Sequence, residues 1–242
     1  KYLGSGYFAS WSPDGTKISF VSNDTLYTMN PDGSGKTEIC TGGFTSAPTW
    51  SNSGEYFIYI DTLSQICKVK KDGTGWKNLT NGAYTCMVPV WSPDDSQIAF
   101  ITFGIQPDLY VMDNEGLNIQ KLTNMGSCAP FLFPVWTSNG SSLLFTAGRS
   151  EEGDLYFINS DGTGLRRLNF PDLIEVDAQL TSDDLTIYFG TMDYFSAERH
   201  IFKVNVDGTG LTDLTIGDSF HTNIALSPNE SLIAFCETNH TS

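Results

Sequence analysis

Few residues of this chain have the types and spacing that catalysis needs. Its three histidines, the side chains that most often carry protons near neutral pH, are His200, His221 and His240. The sequence contains no Gly-x-Ser-x-Gly segment, the turn that presents a nucleophilic serine in many hydrolases. We therefore expect that the chain is not an enzyme.

Acidic residues supply two further candidate pairs. Glu175 and Asp177 could act together as acid and base, but a spacing of two residues on a strand is equally typical of a solvated edge. Asp183 and Asp184 fall in a turn whose counterparts elsewhere in the chain are structural. No Asp-x-Asp-x-Asp-Gly loop specifies calcium, and no Cys-x-x-Cys pair specifies zinc. We expect no cofactor and no metal site, with calcium in an acidic channel as the alternative.

A repeated motif has to position these residues. It begins at Trp11, continues through a Ser-Pro-Asp-Gly turn into an apolar strand, and ends in an Asn-x-Asp-Gly-x-Gly segment. The position of Trp11 recurs every 39 to 46 residues, at Trp50, Trp91, Trp136, Leu180 and Leu226. Repeats of roughly 40 to 50 residues that contain several strands are typical of the blades of β-propellers.

The third repeat shows how one blade folds. Large Ile98 and Phe100 alternate with small Ala99, which predicts a strand packed between two layers. Gly116 supplies the positive φ of a tight turn before the last strand. The signals predict four antiparallel strands, over residues 88–91, 97–101 and 109–113 and ending at 122–123. The third strands of other repeats are predicted at 26–30, 66–70, 155–159 and 201–205.

Each Trp of the motif stands at a constant place ahead of the turn. A meander of four strands has two apolar faces and cannot bury either alone, so neighbouring blades must stack face to face. We therefore predict that these Trp side chains pack between blades rather than bind a ligand. Cys86 and Cys128 both precede such a Trp, and neighbouring blades could bring them close enough for a disulfide.

The repeats resemble those of TolB-like β-propellers, in which Trp-Ser-Pro-Asp-Gly opens a blade and Asn-x-Asp-Gly-Ser-Gly closes its third strand. The resemblance implies an all-β, six-bladed β-propeller that serves as a docking surface for other proteins. A related propeller also caps the catalytic domain of some serine peptidases. We predict one domain over residues 1–242, with repeats at 7–41, 46–80, 87–123, 132–169, 176–215 and 222–242, the last completed by residues 1–4.

The sixth repeat is incomplete in the sequence, because only its first two strands precede Ser242. An absent third strand would leave unpaired backbone groups, which proteins seldom expose. Two expectations follow. Either the chain continues in a longer protein, or a strand of another chain completes the blade, and an identical donor would produce head-to-tail self-assembly.

Composition limits the partners. With 28 acidic and 13 basic residues the formal charge is -15, which repels nucleic acid and anionic membranes and favours a basic protein or peptide. No apolar run is long enough to span a membrane. A Ser-, Thr- and Asn-rich composition favours an extracellular, cell-surface or periplasmic location, with candidate glycosylation sites at Asn23, Asn78, Asn139, Asn229 and Asn239.

Recognition is predicted in the loops that join second to third strands and fourth strands to the next blade. These loops vary in length, whereas the other turns are nearly constant, and variable loops on a rigid frame are where binding sites are usually built. An aromatic centre rimmed by carboxylates suits a protein interface. The candidate partner-binding residues are Phe103, Phe131, Phe133, Phe170, Tyr194, Phe195, Glu175 and Asp177.

Three functions agree with these observations. The first is a non-catalytic extracytoplasmic scaffold that binds a partner through its long loops. The second is a structural subunit that self-assembles, as a filament or surface array, by strand donation into the sixth blade. The third is the gating propeller of a serine peptidase whose catalytic domain lies outside this chain.

Overall fold

A computed structural model shows an all-β protein. It describes residues 6–104, 107–126, 129–130, 134–149, 152–170, 173–191, 200–215, 220–227 and 229–238, and no helix occurs among them. Within these ranges there is accordingly no helical segment of the length and apolarity that a membrane crossing requires. The strands form separate antiparallel sheets whose order follows the chain.

The chain divides into two compact units, of which unit 1 comprises residues 1–105 and 109–120. Sheet 1 consists of β1 (Tyr7–Trp11), β2 (Ile18–Ser22), β3 (Thr25–Met29) and β4 (Thr37–Thr41). Sheet 2 consists of β5 (Thr49–Trp50), β6 (Tyr56–Ile60), β7 (Ile66–Lys70) and β8 (Lys77–Asn78). Sheet 3 consists of β9 (Cys86–Trp91), β10 (Gln97–Thr102), β11 (Leu109–Asp113) and β12 (Gln120–Lys121), and the unit boundary falls in its last strand.

Unit 2 comprises residues 106–108 and 121–242. Sheet 4 consists of β13 (Ala129–Pro130), β14 (Val135–Trp136), β15 (Ser142–Arg149), β16 (Glu152–Asn159) and β17 (Arg166–Leu168). Sheet 5 consists of β18 (Glu175–Leu180), β19 (Thr186–Thr191), β20 (Ile201–Asn205) and β21 (Thr212–Asp213). Sheet 6 has two strands among the described residues, β22 (Phe220–Leu226) and β23 (Ile233–Thr238), and the predicted contribution of residues 1–4 lies outside them.

The central strands are buried on both faces, as their apolar sequences predict. Ile98, Ala99 and Phe100 of β10 are all fully buried, and Ile98 and Phe100 pack in one apolar cluster with Ile58 and Ile60 of sheet 2. Because successive residues of a strand point to opposite faces, a strand buried on both faces needs apolar side chains at every position. The predicted third strands at 66–70, 109–113 and 201–205 agree with β7, β11 and β20 at both ends.

Aromatic packing joins consecutive sheets inside unit 1. Trp50 of sheet 2 packs in one apolar cluster with Val21 and Leu26 of sheet 1, and Trp91 of sheet 3 packs in the next cluster with Ile58 of sheet 2. Both indoles are 8% exposed. Trp11 departs from the prediction, since it stands at the same place in sheet 1 but is 57% exposed. The indole is buried only where a preceding sheet covers it.

The turn between the first and second strands has the same backbone hydrogen bond in all six sheets, donated by its fourth residue to the carbonyl of its first. In sheet 1 the backbone N–H of Gly15 donates to the carbonyl of Ser12 at 2.9 Å. The carboxylate of Asp14 accepts hydrogen bonds from the Ser12 hydroxyl and from the backbone N–H and hydroxyl of Thr16, and these bonds lower its pKa to about 2. The turn acids are therefore structural.

A carboxylate clamp links the turns of consecutive sheets. Asp95 of sheet 3 accepts the backbone N–H groups of Asn52 and Ser53 in the turn of sheet 2, at 2.6 and 2.7 Å. Asp184 of sheet 5 binds the backbone of Ser138 in sheet 4 in the same way. A third clamp joins sheets 5 and 6, where the backbone N–H of Ser182 donates to the carboxylate of Glu230. All three acids adopt a left-handed φ of 56° to 59°, the conformation that Gly15, Gly54 and Gly140 take at this turn position.

Truncation of a covered indole should destabilise the fold far more than truncation of the exposed one. Trp91→Ala removes a buried aromatic from the contact between sheets 2 and 3 and is expected to lower the free energy of unfolding by about 3 to 5 kcal/mol. Trp11→Ala serves as the matched control and should change it by less than about 1 kcal/mol. Urea denaturation of the two variants measures the difference, and equal losses would contradict the packing role.

The clamp makes a second prediction. Asp95→Asn keeps the left-handed backbone but replaces one charged acceptor by an amide N–H, so we expect a loss of about 1 to 2 kcal/mol of unfolding free energy. Asp24→Asn is the control, because Asp24 has a φ of 54° and its carboxylate accepts no hydrogen bond from the described residues. Urea denaturation measures the free energy of unfolding of both variants. Equal values for Asp95→Asn and Asp24→Asn would show that the clamp does not stabilise the fold.

Candidate functional site

The predicted aromatic residues separate into an exposed one and a buried one. Phe103 follows β10 and is 65% exposed, as a binding residue should be. Phe170 is 7% exposed and stacks on Phe189 of sheet 5 with ring centroids 5.6 Å apart, so it belongs to the core rather than to a surface. The remaining predicted aromatics lie outside the described residues; they are Phe131, Phe133, Tyr194 and Phe195.

Phe103 belongs to an exposed apolar patch on unit 1, which we name the apolar patch and define as Leu63, Met87 and Phe103. Leu63 is 76% exposed and Met87 is 43% exposed. The backbone brings the three together: the N–H of Phe103 donates to the carbonyl of Thr85, and the N–H of Cys86 donates to the carbonyl of Ser64. The patch therefore lies at one end of sheets 2 and 3, where second strands run into third strands. We call this end of any sheet its long-loop end.

The loop that carries Leu63 is held by its own hydrogen bonds. One oxygen of Asp61 accepts the backbone N–H groups of Leu63 and Gln65, each at 2.9 Å. The Gln65 side-chain amide then donates to the carbonyls of Leu63 and Tyr84. Because these bonds fix the loop without a partner, little conformational entropy remains to be lost on binding.

A polar residue begins the third strand of several repeats and contacts the end of the fourth strand. In unit 2, Asp108 is 2% exposed, accepts the hydroxyl of Thr123 at 2.9 Å and pairs with Lys121 at 2.6 Å. His200 occupies the same place in sheet 5, where its Nδ1 lies 2.9 Å from Asp213. Polar side chains are therefore paired with one another at the long-loop ends of sheets 3 and 5.

The fourth repeat breaks this pattern. Asp154 is the third residue of β16, directly before its apolar run, and pairs with Arg167 at 2.7 Å, but the Thr of the other repeats is replaced by the exposed Asn169. Next to this pair, the Thr146 hydroxyl is buried and finds no hydrogen-bond partner among the described residues. The long-loop end of sheet 4 therefore contains polar groups that are incompletely paired.

Glu175 and Asp177, the predicted carboxylate pair, lie in different environments. Glu175 is fully buried, and both of its carboxylate oxygens lack a hydrogen-bond partner in the described part of the chain. Its pKa is raised from 4.5 to about 8; burial is the largest cause and the nearby charge of Asp154 acts in the same direction, whereas its own backbone N–H and the charge of Arg167 oppose the shift. Asp177 is half-buried at a left-handed φ of 51°. The two do not form one exposed acidic rim.

The other chemical candidates have structural partners or lie outside the described residues. Asp183 accepts the hydroxyl of Thr181, which lowers its pKa, and Asp184 forms the clamp described above. Across the described ranges, no group of three or more His, Cys, Asp or Glu side chains is placed to hold a metal ion. The side chain of His221 and the whole of His240 fall outside the description.

The predicted modification sites are mostly accessible. Asn23, Asn139 and Asn229 are exposed in turns, Asn78 is half-buried on β8, and Asn239 lies outside the described residues. Cys86 is a buried free thiol, and Cys128 is outside the described part, so the structure gives no support to a disulfide between them.

The sequence analysis missed the polar residues that stand directly before the apolar part of the third strands. It started each third strand at its first apolar residue and so ignored the residue before it. A recurring polar side chain at that place was the available signal, in Gln65, Asp108, Asp154 and His200. The exposure of Met87 had no such signal, because it lies in an apolar run that also suits a core strand, whereas Leu63 stands between polar residues that are typical of an exposed loop.

Comparison with known proteins supports one family. Residues 64–242, well over half of the chain, match the family described as the TolB beta propeller domain. A protein TolB homolog of Chlorobaculum tepidum is 31% identical over 98 residues, which cover 40% of this chain and 22% of that protein. The chain spans 54% and 22% of the lengths of the first two curated relatives it matches.

Solved structures show the same fold. The putative TolB from Agrobacterium tumefaciens is 18% identical and superposes with a TM-score of 0.65 over 86% of this chain and 79% of that one. An oligogalacturonate lyase in complex with manganese is 13% identical, with a TM-score of 0.78 over 95% of this chain and 73% of the lyase. Likeness at these identities establishes an all-β propeller and leaves activity open. The number of six blades stays a prediction.

Glu175 should make stability depend on pH. The unfolded carboxyl ionises near pH 4.5 and the folded one near pH 8, so the folded state binds more protons in between. Its contribution to stability is complete below pH 4.5 and is lost as the pH rises through 8. Glu175→Gln should abolish this decline and be more stable than the parent protein at pH 9. Denaturation at pH 5, 7 and 9 measures it, with Asp177→Asn as the control that should retain the decline.

Proposed function

The chain belongs to the TolB β-propeller domain family, and on that basis we propose that it is a non-catalytic, extracytoplasmic interaction module that binds a protein partner at its long-loop ends. The single observation that carries this proposal is the apolar patch. Three large apolar side chains, two of them more than 60% exposed, lie at the long-loop ends of sheets 2 and 3, and hydrogen bonds hold the loop that carries Leu63. Exposed apolar clusters of this kind are a common mark of protein-binding sites.

The physical chemistry of the patch suits a protein partner. Burial of one aromatic side chain such as Phe103 contributes about 1.5 to 3 kcal/mol, and a few such residues dominate the affinity of most interfaces. Met87 adds a flexible, polarisable side chain that adapts to different partner shapes. Because Asp61 and Gln65 hold the loop beforehand, most of the apolar contribution is retained in the affinity.

The net charge narrows the partner's chemistry. At a formal charge of -15 the chain attracts basic surfaces and repels phosphate backbones. The partner is accordingly a protein or peptide with a basic surface next to an apolar anchor. Complementary charge speeds encounter, and the anchor sets the lifetime of the complex.

A non-catalytic role agrees with the state of the residues that could do chemistry. Asp183 and Asp184 are occupied by turn and clamp hydrogen bonds, and His200 is paired with Asp213. The extracytoplasmic location is proposed from the family and from the accessible Asn-x-Ser/Thr sites at Asn23 and Asn139.

Substitution of Phe103 tests the proposal. A partner is first identified by cross-linking from p-benzoyl-phenylalanine placed at position 103 and is then purified, and its affinity is measured by calorimetry. Phe103→Ser should weaken binding about 10-fold to 100-fold, because it removes a central apolar anchor. The exposed position should keep the unfolding free energy within about 0.5 kcal/mol of the parent protein.

Leu117→Ser is the matched control. Leu117 is 62% exposed and belongs to the same unit, but it lies in the turn after β11, at the opposite end of sheet 3. This variant should bind as the parent protein does. Equal affinity of Phe103→Ser and the parent protein, or equal losses in both variants, would remove the long-loop end from the interface. A basic partner also requires that the affinity fall as salt concentration rises.

A further inference from the structure

The seam between sheets 4 and 5 encloses oxygen atoms that have no hydrogen-bond partner in the described part of the chain. Two belong to Glu175, the first residue of β18, and the third is the hydroxyl of Thr146 on β15. Both residues are at most 1% exposed. Buried polar atoms of folded proteins are paired in nearly all cases, so a group of three such atoms calls for an explanation.

Strand register places these atoms on the same seam. Thr146 and Leu144 are two residues apart on β15 and so point to the same face of sheet 4. Leu144 packs in one cluster with Ile187 and Phe189 of sheet 5, and β18 lies against both β15 and β16. Thr146 therefore faces sheet 5, from which Glu175 comes.

The charged groups around the seam favour a neutral carboxyl at Glu175. Asp154 of sheet 4 repels a second negative charge, and its partner Arg167 is already engaged at 2.7 Å. Across the strand pair, Glu175 stands opposite Thr191, which is buried and carries no charge. Asp177 is the next acid on the same strand, but it is half-buried and is not among the charges that shift the pKa of Glu175. Burial without compensating donors adds to the same preference.

We propose that the Glu175 carboxyl is a proton-controlled latch on the seam between sheets 4 and 5, closed while the carboxyl keeps its proton and opened at the long-loop end when the proton leaves. The proton passes to bulk water, and no other covalent bond changes. An unpaired carboxylate is too costly to keep in this apolar seam, so it must reach water. As the first residue of its strand, Glu175 reaches water when only the end of β18 separates from sheet 4. The latch does not depend on whether the apolar patch of unit 1 binds a protein.

Hydrogen exchange of the backbone amides tests the latch directly. Protection factors of β18 and of residues 144–149 and 152–157 in sheet 4 are measured at pH 6, 7, 8 and 9 and corrected for the intrinsic exchange rate. In the parent protein they should fall about tenfold per pH unit between pH 6 and pH 8 and level off by pH 9, because the closed carboxyl keeps its proton up to a pKa of about 8 whereas a carboxyl exposed to water ionises near pH 4.5. Protection of β10 in unit 1 should not change over this range, which separates local opening from global unfolding.

Two variants decide the role of the carboxyl. Glu175→Gln removes the titration and should keep β18 protected at pH 9, while Asp177→Asn should open as the parent protein does. If Glu175→Gln does not fold, Glu175→Met replaces it, since a thioether removes both oxygens and should also stay closed. The latch is refuted if the parent protein keeps its protection at pH 9, or if Glu175→Gln or Glu175→Met loses protection as the parent protein does.

Discussion

Burial of the apolar faces of the sheets is the constraint on which this structure depends. A four-stranded meander cannot bury its own faces alone, so consecutive sheets inside a unit pack against one another. Inside unit 1, Trp50 and Trp91 close the apolar part of that contact. At the exposed turn, the carboxylate of Asp95 adds a polar contact by accepting the backbone N–H groups of Asn52 and Ser53. Because strands and short turns make these contacts between sheets, the long loops can differ in length and sequence from one repeat to the next.

The fold was predictable to the extent that its signals are local. Alternation of large residues and the Gly-containing turns define strands within ten residues of sequence, and β7, β11 and β20 agree with the prediction at both ends. The burial of a motif Trp is a different kind of property, because it depends on a sheet some 40 residues away. Trp11 opens the same Trp-Ser-Pro-Asp segment as Trp91 but is exposed. Local pattern predicts where an indole stands in its strand, and the neighbouring sheet decides whether it is covered.

The candidate site was less predictable for the same reason. Phe103 and Phe170 are both aromatic residues in long loops, yet one is exposed and the other fills a gap beside Phe189. Glu175 and Asp177 are two residues apart on one strand, but only Glu175 is enclosed by sheet 4. Composition correctly suggests apolar and acidic side chains near the loops. Which of them meets solvent is determined by the packing of adjacent sheets, and a single sequence carries little information about that.

The choice between glycine and an acid at the fourth turn position has a thermal consequence. At the turn of sheet 2 this position is Gly54, whereas at the turn of sheet 3 it is Asp95. The junction of sheets 1 and 2 thus lacks the carboxylate bonds that the junction of sheets 2 and 3 has. Hydrophobic contact weakens on cooling, and a charge-assisted hydrogen bond does not share that dependence. In the cold, therefore, the first blade of the unit is the one whose attachment loosens, while the second and third remain joined.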